Sequence, residues 1–205
     1  MSREIAVVVV GAGGHAKVVL ATLLASGRRV AAILDDDPGR WGGSLLDHPV
    51  TGPIEPGRVE SQPAVLAIGD NAVRQRLARA LAADWLTVVH PRAIVHPSAI
   101  LGAGCVVFAG AVVQPGARLG AHVIVNTGAS VDHDCELGDF VHVAPGCRLA
   151  GEVQVGAGAL LGIGSCVMPG ITVGAWAIVG AGAAVSQDVP DGVVVAGVPA
   201  RPLHP

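Results

Sequence analysis

Aromatic side chains are nearly missing from this chain. Its 205 residues include three Trp, two Phe and no Tyr, although 51% of them are apolar. An ordinary globular core would lack its bulkiest fillers, so a narrow interior of Val, Ile and Ala is expected. A strong charge of one sign is missing too. Thirteen Lys and Arg against sixteen Asp and Glu leave a net charge of −3 with no basic run, a poor match for nucleic acid or an anionic membrane. No apolar run approaches the ~20 residues that span a bilayer. Met1-Ser2-Arg3-Glu4 leads straight into a short apolar strand rather than a signal peptide. The four cysteines show no metal-type CxxC spacing. No metal site is expected, and a reduced, cytoplasmic setting follows as the default expectation.

What is present is a repeat. Every sixth residue from Val95 to Val185 is Val or Leu, sixteen positions without a break in phase. With half the chain apolar, chance gives such a run about once in tens of thousands. Four residues after each comes a small or aliphatic residue, such as Ala99, Cys105, Ala111, Cys135 and Cys147. Three of the cysteines therefore read as core fillers. The 29 Gly and 14 Pro would suggest disorder if aperiodic, but in the repeat they sit at corners. A period of six fits neither a helix nor a hairpin array. It fits a β-solenoid in which three hexads make one triangular coil, about five coils in all. The period does not fix the hand.

The first ninety residues read differently. Residues 5–10 form a continuous apolar run, the mark of a strand buried on both faces. Gly11-Ala12-Gly13-Gly14-His15-Ala16 follows, then a helical pattern to about Ser26 closed by Gly27, and a second strand from Val30 to Leu34 ending in Asp35-Asp36-Asp37. Glycines at such a turn let backbone approach a phosphate, the helix start supplies N–H donors, and a carboxylate takes a ribose or base donor. Too little chain precedes the solenoid for a full dinucleotide fold, so a site for one nucleotide is expected. Residues 38–63 read as loop and short turns. A buried strand over Ala64–Ile68 leads to Gly69-Asp70-Asn71, at the strand edge where open α/β sheets bind ligands. A helix through about Ala83 follows, with Asn71 as its cap and Arg74, Arg76 and Arg79 on its solvated side. Leu86–Val89 is the last strand expected, which places the domain boundary near residue 90: an α/β Rossmann-like domain over 1–90 and an all-β prism over 91–205.

Within the prism, Asn126-Thr127-Gly128-Ala129-Ser130-Val131-Asp132-His133-Asp134-Cys135 is the most polar segment. Val131 and Cys135 are inward positions, so His133 projects outward between two carboxylates, as a general base of raised proton affinity would. Either Asp132 or Asp134 could partner it. Neighbours on an extended strand point to opposite faces, so Asp134 reaches His133 only at a corner. His142, half a coil on, could face another side of the prism or a neighbouring subunit. His48, His96, His122 and His204 read as structural or solvated. Cys135 beside His133 suggests a thiol nucleophile, but its inward slot raises its pKa and closes access.

The six-residue pattern resembles the hexapeptide-repeat acyltransferases, whose prism is a left-handed parallel β-helix. Five motifs then occur in order: Gly11–His15, Ala67–Asn71, Asn126–Cys135, Leu161-Gly162-Ile163-Gly164-Ser165-Cys166 and Gly197-Val198-Pro199-Ala200-Arg201. Together they resemble the sugar O-/N-acyltransferases of the sialic-acid O-acetyltransferase type, which include acetyl-CoA-dependent N-acetyltransferases of nucleotide-linked 4-amino sugars in bacillosamine and perosamine pathways. The resemblance implies a homotrimer with acetyl-CoA between neighbouring prisms and a nucleotide sugar on the N-terminal domain. It implies His133 as catalytic base with Asp134 as its acidic partner, where close relatives often carry Glu. His142, Ile163 and Ala181 match acetyl-CoA contacts. Gly13, Gly14, His15, Asp35 and Asp36 match nucleotide-sugar contacts, with Gly69 at the same edge and Asn126 near the sugar.

Three other readings fit the sequence less well. A γ-type carbonic anhydrase needs close zinc ligands that the spacing of His122, His133 and His142 does not give. A serine acetyltransferase would carry a helical N-terminal domain. A non-catalytic sugar-nucleotide scaffold would not need His133. Amine and hydroxyl acceptors, sialic acid among the latter, both fit the sequence, as do UDP, GDP and CMP. No long loop interrupts the register from 95 to 185, so closure over the acceptor is expected from the N-terminal domain or a neighbouring subunit.

Overall fold

The computed structural model describes residues 6–203; Ile5 of the first expected strand and His204 lie outside the described residues. The chain divides into two compact units, Met1–Pro91 and Arg92–Pro205.

In the first unit β1 (Ala6–Val10) feeds α1 (Gly14–Ala25), which returns to β2 (Arg29–Leu34). The four Val of β1 are buried, as its unbroken apolar run requires. The sheet is parallel, in the order 29–34, 6–10, 63–66, 84–85. Because β1 is central, the chain leaves it toward opposite sides, and the crevice beyond its carboxyl end lies at a topological switch point. Residues 38–63 hold more than loop: a short turn of helix at Pro38–Arg40, a hairpin pairing Ser44–Leu45 with His48–Pro49, and a helical turn at Pro56–Val59. The later helix runs Asn71–Ala80 and is capped by Asp70, not Asn71; the Asp70 carboxylate accepts from the Val73 N–H at 2.8 Å. The expected Leu86–Val89 strand is Val88–Val89, preceded by Asp84–Trp85.

The second unit is a left-handed parallel β-helix. Its two-residue strands pair with those eighteen residues on, so Val95, Val113, Val131, Leu149, Val167 and Val185 stack on one face. Leu101, Leu119, Leu137, Val155 and Val173 stack on a second. On the third, Val107, Val125, Val143, Leu161 and Val179 stack in the same way. There Val194–Ala196 adds a further strand, so the winding outruns the five coils expected. From Val107 to Val185 the hexad Val and Leu are all buried. Each such burial contributes about 1.5–3 kcal/mol before the cost of ordering the chain. Cys105, Cys135 and Cys147 fill the interior beside them, as expected, with no exposed surface.

The corners follow a rule of their own. Residues 104, 110, 116 and every sixth one to 182 have φ between 56° and 76°. That left-handed conformation suits glycine, and most of these corners are glycine. One edge, Gly110, Gly128, Gly146, Gly164 and Gly182, carries no side chain. Five corners of the other edges keep one: His122, Asp134, Phe140, Glu152 and Trp176. The His122, Asp134 and Trp176 side chains fold back into the space that a Cβ would fill at Gly104, Gly116 and Gly158, one coil earlier.

Candidate functional site

His133 stands where a coil turns. Val131 and Cys135 point inward, with no exposed surface. Between them the backbone reverses at Asp134 (φ +56°), and the Asp134 N–H donates to the Pro115 carbonyl at 3.1 Å. That reversal lets sequence neighbours meet. His133 Nδ1 lies 2.9 Å from Asp134 Oδ2, which selects Asp134 over Asp132 as ring partner. Asp132 instead accepts the His133 backbone N–H at 2.7 Å. With its Nδ1 proton held by a carboxylate, the imidazole presents Nε2 as its basic atom. The ring is 55% exposed, so an incoming group can reach it. Its pKa is raised, mainly by the Asp134 hydrogen bond and further by the negative charges of Asp132, Asp134 and Glu152. Nε2 and Cε1 rest over Gly151, in the space that a Cβ there would fill.

The Cys135 side chain is enclosed in the coil, with no exposed surface. Burial pushes its thiol pKa up, and its Sγ contacts the Ala150 carbonyl at 3.1 Å.

A second pair, around His142, lies on another face of the prism. The Thr127 N–H donates to Asn126 Oδ1 at 2.8 Å, which turns the amide so that Nδ2 faces His142 Nε2 at 3.0 Å. His142 Nε2 then acts as acceptor, and the ring proton sits on Nδ1. Asn126 is buried. Ile163 and Ala181 are exposed and one coil apart, tied by the Gly182 N–H to Ile163 carbonyl bond of 2.8 Å. Each precedes a corner of the bare glycine edge, Gly164 and Gly182, where a Cβ would meet nothing within 4 Å. Glycine serves the backbone conformation there and leaves main chain uncovered.

In the first unit Gly13, Gly14 and His15 follow the carboxyl end of β1, Asp35 and Asp36 that of β2, and Gly69 that of the Pro63–Leu66 strand. Gly13 caps α1, and at Gly14 a Cβ would meet nothing, so the turn is open to a ligand. Gly11, which opens the motif but is not among the expected ligand contacts, is the glycine that the fold demands. Its φ is +110°, and a Cβ would lie 2.5 Å from Ile68 Cδ1. Asp35 is more structural than expected. Its Oδ2 accepts from the Ala12 N–H at 2.6 Å and from Arg40 at 3.0 Å, and its Oδ1 from the Asp37 N–H at 2.9 Å. It clamps the glycine turn to the end of β2. Asp36 is exposed and accepts from the Ile54 N–H at 3.0 Å.

Arg74 is not on the solvated side where its helix pattern placed it. It is fully buried, and its guanidinium donates to the carbonyls of Ile68 and Gly69 at 3.1 and 3.2 Å and to Asn71 Oδ1 at 2.8 Å. The Gly69 loop is thereby fixed against it. His15 packs on Gly69; burial lowers its pKa to about 4, and the Arg74 charge adds to the effect. The imidazole is neutral at pH 7.

An exposed His–carboxylate pair on a left-handed β-helix, joined in one chain to an α/β unit with an open glycine turn, defines a hexapeptide-type acyltransferase architecture. Residues 6–81 match the PglD N-terminal domain family. A His-to-Asn mutant of the perosamine N-acetyltransferase from Caulobacter crescentus, solved with CoA and GDP-perosamine, is 44% identical with a TM-score of 0.92; the match covers 98% of this chain and 97% of that one. The acetyltransferase domain of PglB from Neisseria gonorrhoeae, solved with acetyl coenzyme A, is 42% identical with a TM-score of 0.87 over 96% of this chain and 98% of that one. A UDP-N-acetylbacillosamine N-acetyltransferase from Bacillus subtilis is 46% identical over 114 residues, half of this chain and 51% of that protein. The chain thus spans about half the length of this curated relative. It belongs to the bacillosamine/perosamine-type acyltransferase family.

Proposed function

We propose that the protein is an acetyl-CoA-dependent N-acetyltransferase that acts on the 4-amino group of a UDP- or GDP-linked amino sugar, with His133 as general base. The observation that carries this is the outward imidazole whose Nδ1 is held by Asp134 at 2.9 Å. The relatives that bind acetyl-CoA, CoA and GDP-perosamine support the substrate class.

In this reading residues 1–90 bind the nucleotide sugar through Gly13, Gly14, His15, Asp36 and Gly69, with Asp35 holding the turn in shape. Residues 91–205 bind acetyl-CoA along the glycine edge through Ile163 and Ala181, with His142 nearby and Asn126 orienting it. The sugar amine attacks the thioester carbonyl carbon. Its proton passes to His133 Nε2 as the C–N bond forms, the C–S bond breaks, and CoA leaves as thiolate. The imidazolium is held by Asp134, so proton transfer creates an ion pair rather than an isolated cation. The working assembly is a homotrimer, and its setting is cytoplasmic. Among the described residues no helix is long and apolar enough to cross a membrane.

A thiol-release assay with acetyl-CoA against UDP- and GDP-linked 4-amino sugars and free sialic acid tests this reading. Turnover of one nucleotide-linked amine that falls by about 10²–10⁴-fold in His133→Ala is expected. Release with sialic acid alone moves the activity to O-acetylation, and a fully active His133→Ala removes the base.

A further inference from the structure

We propose that Glu152 is a second positioning carboxylate for His133, acting through the imidazole and not on substrate. The proposal rests on the base reading above, although its first test does not require that reading.

Gly116, Asp134, Glu152 and Gly170 occupy one prism edge, one coil apart, and all are left-handed. Asp tolerates that conformation better than most residues; Glu has no such preference and is disfavoured there. A Glu kept in a slot that glycine fills with less strain calls for a reason. Its neighbours supply one. His122, Asp134 and Trp176 each fold back over the corner one coil earlier, and Phe140 stacks on His122 with ring centroids 5.1 Å apart. The corner one coil before Glu152 is Asp134, the partner of His133. The Glu152 N–H also donates to the His133 carbonyl at 2.9 Å, and the residue before it, Gly151, lies under the ring.

The acidic residues beside His133 are Asp132 and Asp134 on its own coil and Glu152, whose backbone bonds to it from the next coil, and the charge of each raises its pKa. The preceding coil brings Pro115 and Gly116 to the Asp134 corner, neither of them charged. Together the three carboxylates hold the imidazolium that proton transfer creates.

The test titrates the His133 imidazole by NMR in the full chain, in wild type and in Glu152→Gln, Glu152→Gly and Glu152→Asp, with no substrate present. Gln and Gly are expected to lower the midpoint, and Asp to restore most of it. The difference should shrink in ~1 M salt, where the Debye length is about 3 Å. The acid limb of kcat/KM should move the same way, and kcat above that limb should fall roughly 1.5- to 5-fold with KM unchanged, the scale of an exposed ion pair. Glu152→Gly alone should also raise Tm, by about 2–5 °C, because it relieves the left-handed corner. An unmoved midpoint in Gln and Gly together with that Tm gain would make Glu152 a mere corner residue and overturn the proposal. A moved midpoint in a chain whose His133→Ala variant keeps full thiol release would support the Glu152 contact and sink the base reading alone.

Discussion

Gly151→Ala should disable the proposed base without unfolding the prism. Gly151 is not among the left-handed corners, so its backbone admits alanine. The added methyl would lie 2.5 Å from His133 Cε1 and overlap Nε2 as well. Ordinary contact begins near 3.4 Å, so the ring must move by about 1 Å. It is 55% exposed and can swing into solvent, so the prism is expected to keep its fold. The Asp134 carboxylate cannot simply follow, because its Oδ1 is lodged over Gly116 and its corner is fixed by the bond to Pro115. The 2.9 Å contact to Nδ1 then stretches, and a displacement of ~1 Å at a reacting group costs about 10²-fold in rate. Thiol release under saturating substrates, run beside wild type and His133→Ala, measures the loss, and thermal unfolding checks the fold. Activity within about threefold of wild type would refute the dependence on ring position. A fall in Tm of several degrees would show that the methyl is accommodated by the coil and not by the imidazole.

The prism was legible because one number, six, governs it. The sixteen Val and Leu announce their own faces, and the structure stacks them at eighteen residues as three hexads require. The edges were less legible, because period gives position and not backbone conformation. Asp132 and Asp134 flank His133 symmetrically in sequence; only the reversal at Asp134 makes one of them the ring partner. Gly151 and Glu152 carry no motif of their own, yet the same arithmetic finds them, since adding eighteen to His133 and Asp134 lands on both. Asn126 and His142 flank Val125 and Val143, which pair across adjacent coils, so coil arithmetic brings them together as well. In the α/β unit the pattern gave β1, α1 and β2 within a residue or two but misplaced Arg74. An amphipathic count assigns any Arg to solvent, whereas this one meets carbonyls left open where a parallel strand ends. The pattern marks Asp35 as a ligand group because acids at that point commonly are. Its bonds to Ala12 and Asp37 depend on a loop path that no periodicity encodes.

Cys135→Ala should keep thiol release within about threefold, since a buried thiol of raised pKa takes no part in direct transfer; loss of turnover with the fold intact would restore the acyl-enzyme route. His15 gives the α/β unit a pH dependence of known sign. Its pKa is about 4 in the folded chain and 6.5 as a reference, so between those values the unfolded state binds a proton that the folded state refuses. The stability this represents is fully present above pH ~6.5 and is lost as pH falls toward 4, roughly 3 kcal/mol at most. His133 works in the opposite sense, because its pKa is raised, so the total pH profile mixes the two. His15→Gln isolates the first: its stability relative to wild type should improve steadily from pH 7.5 to pH 4.5. Parallel profiles for the two proteins would mean that the His15 ring protonates freely in place, and the neutral imidazole assigned to the nucleotide site would have to be abandoned.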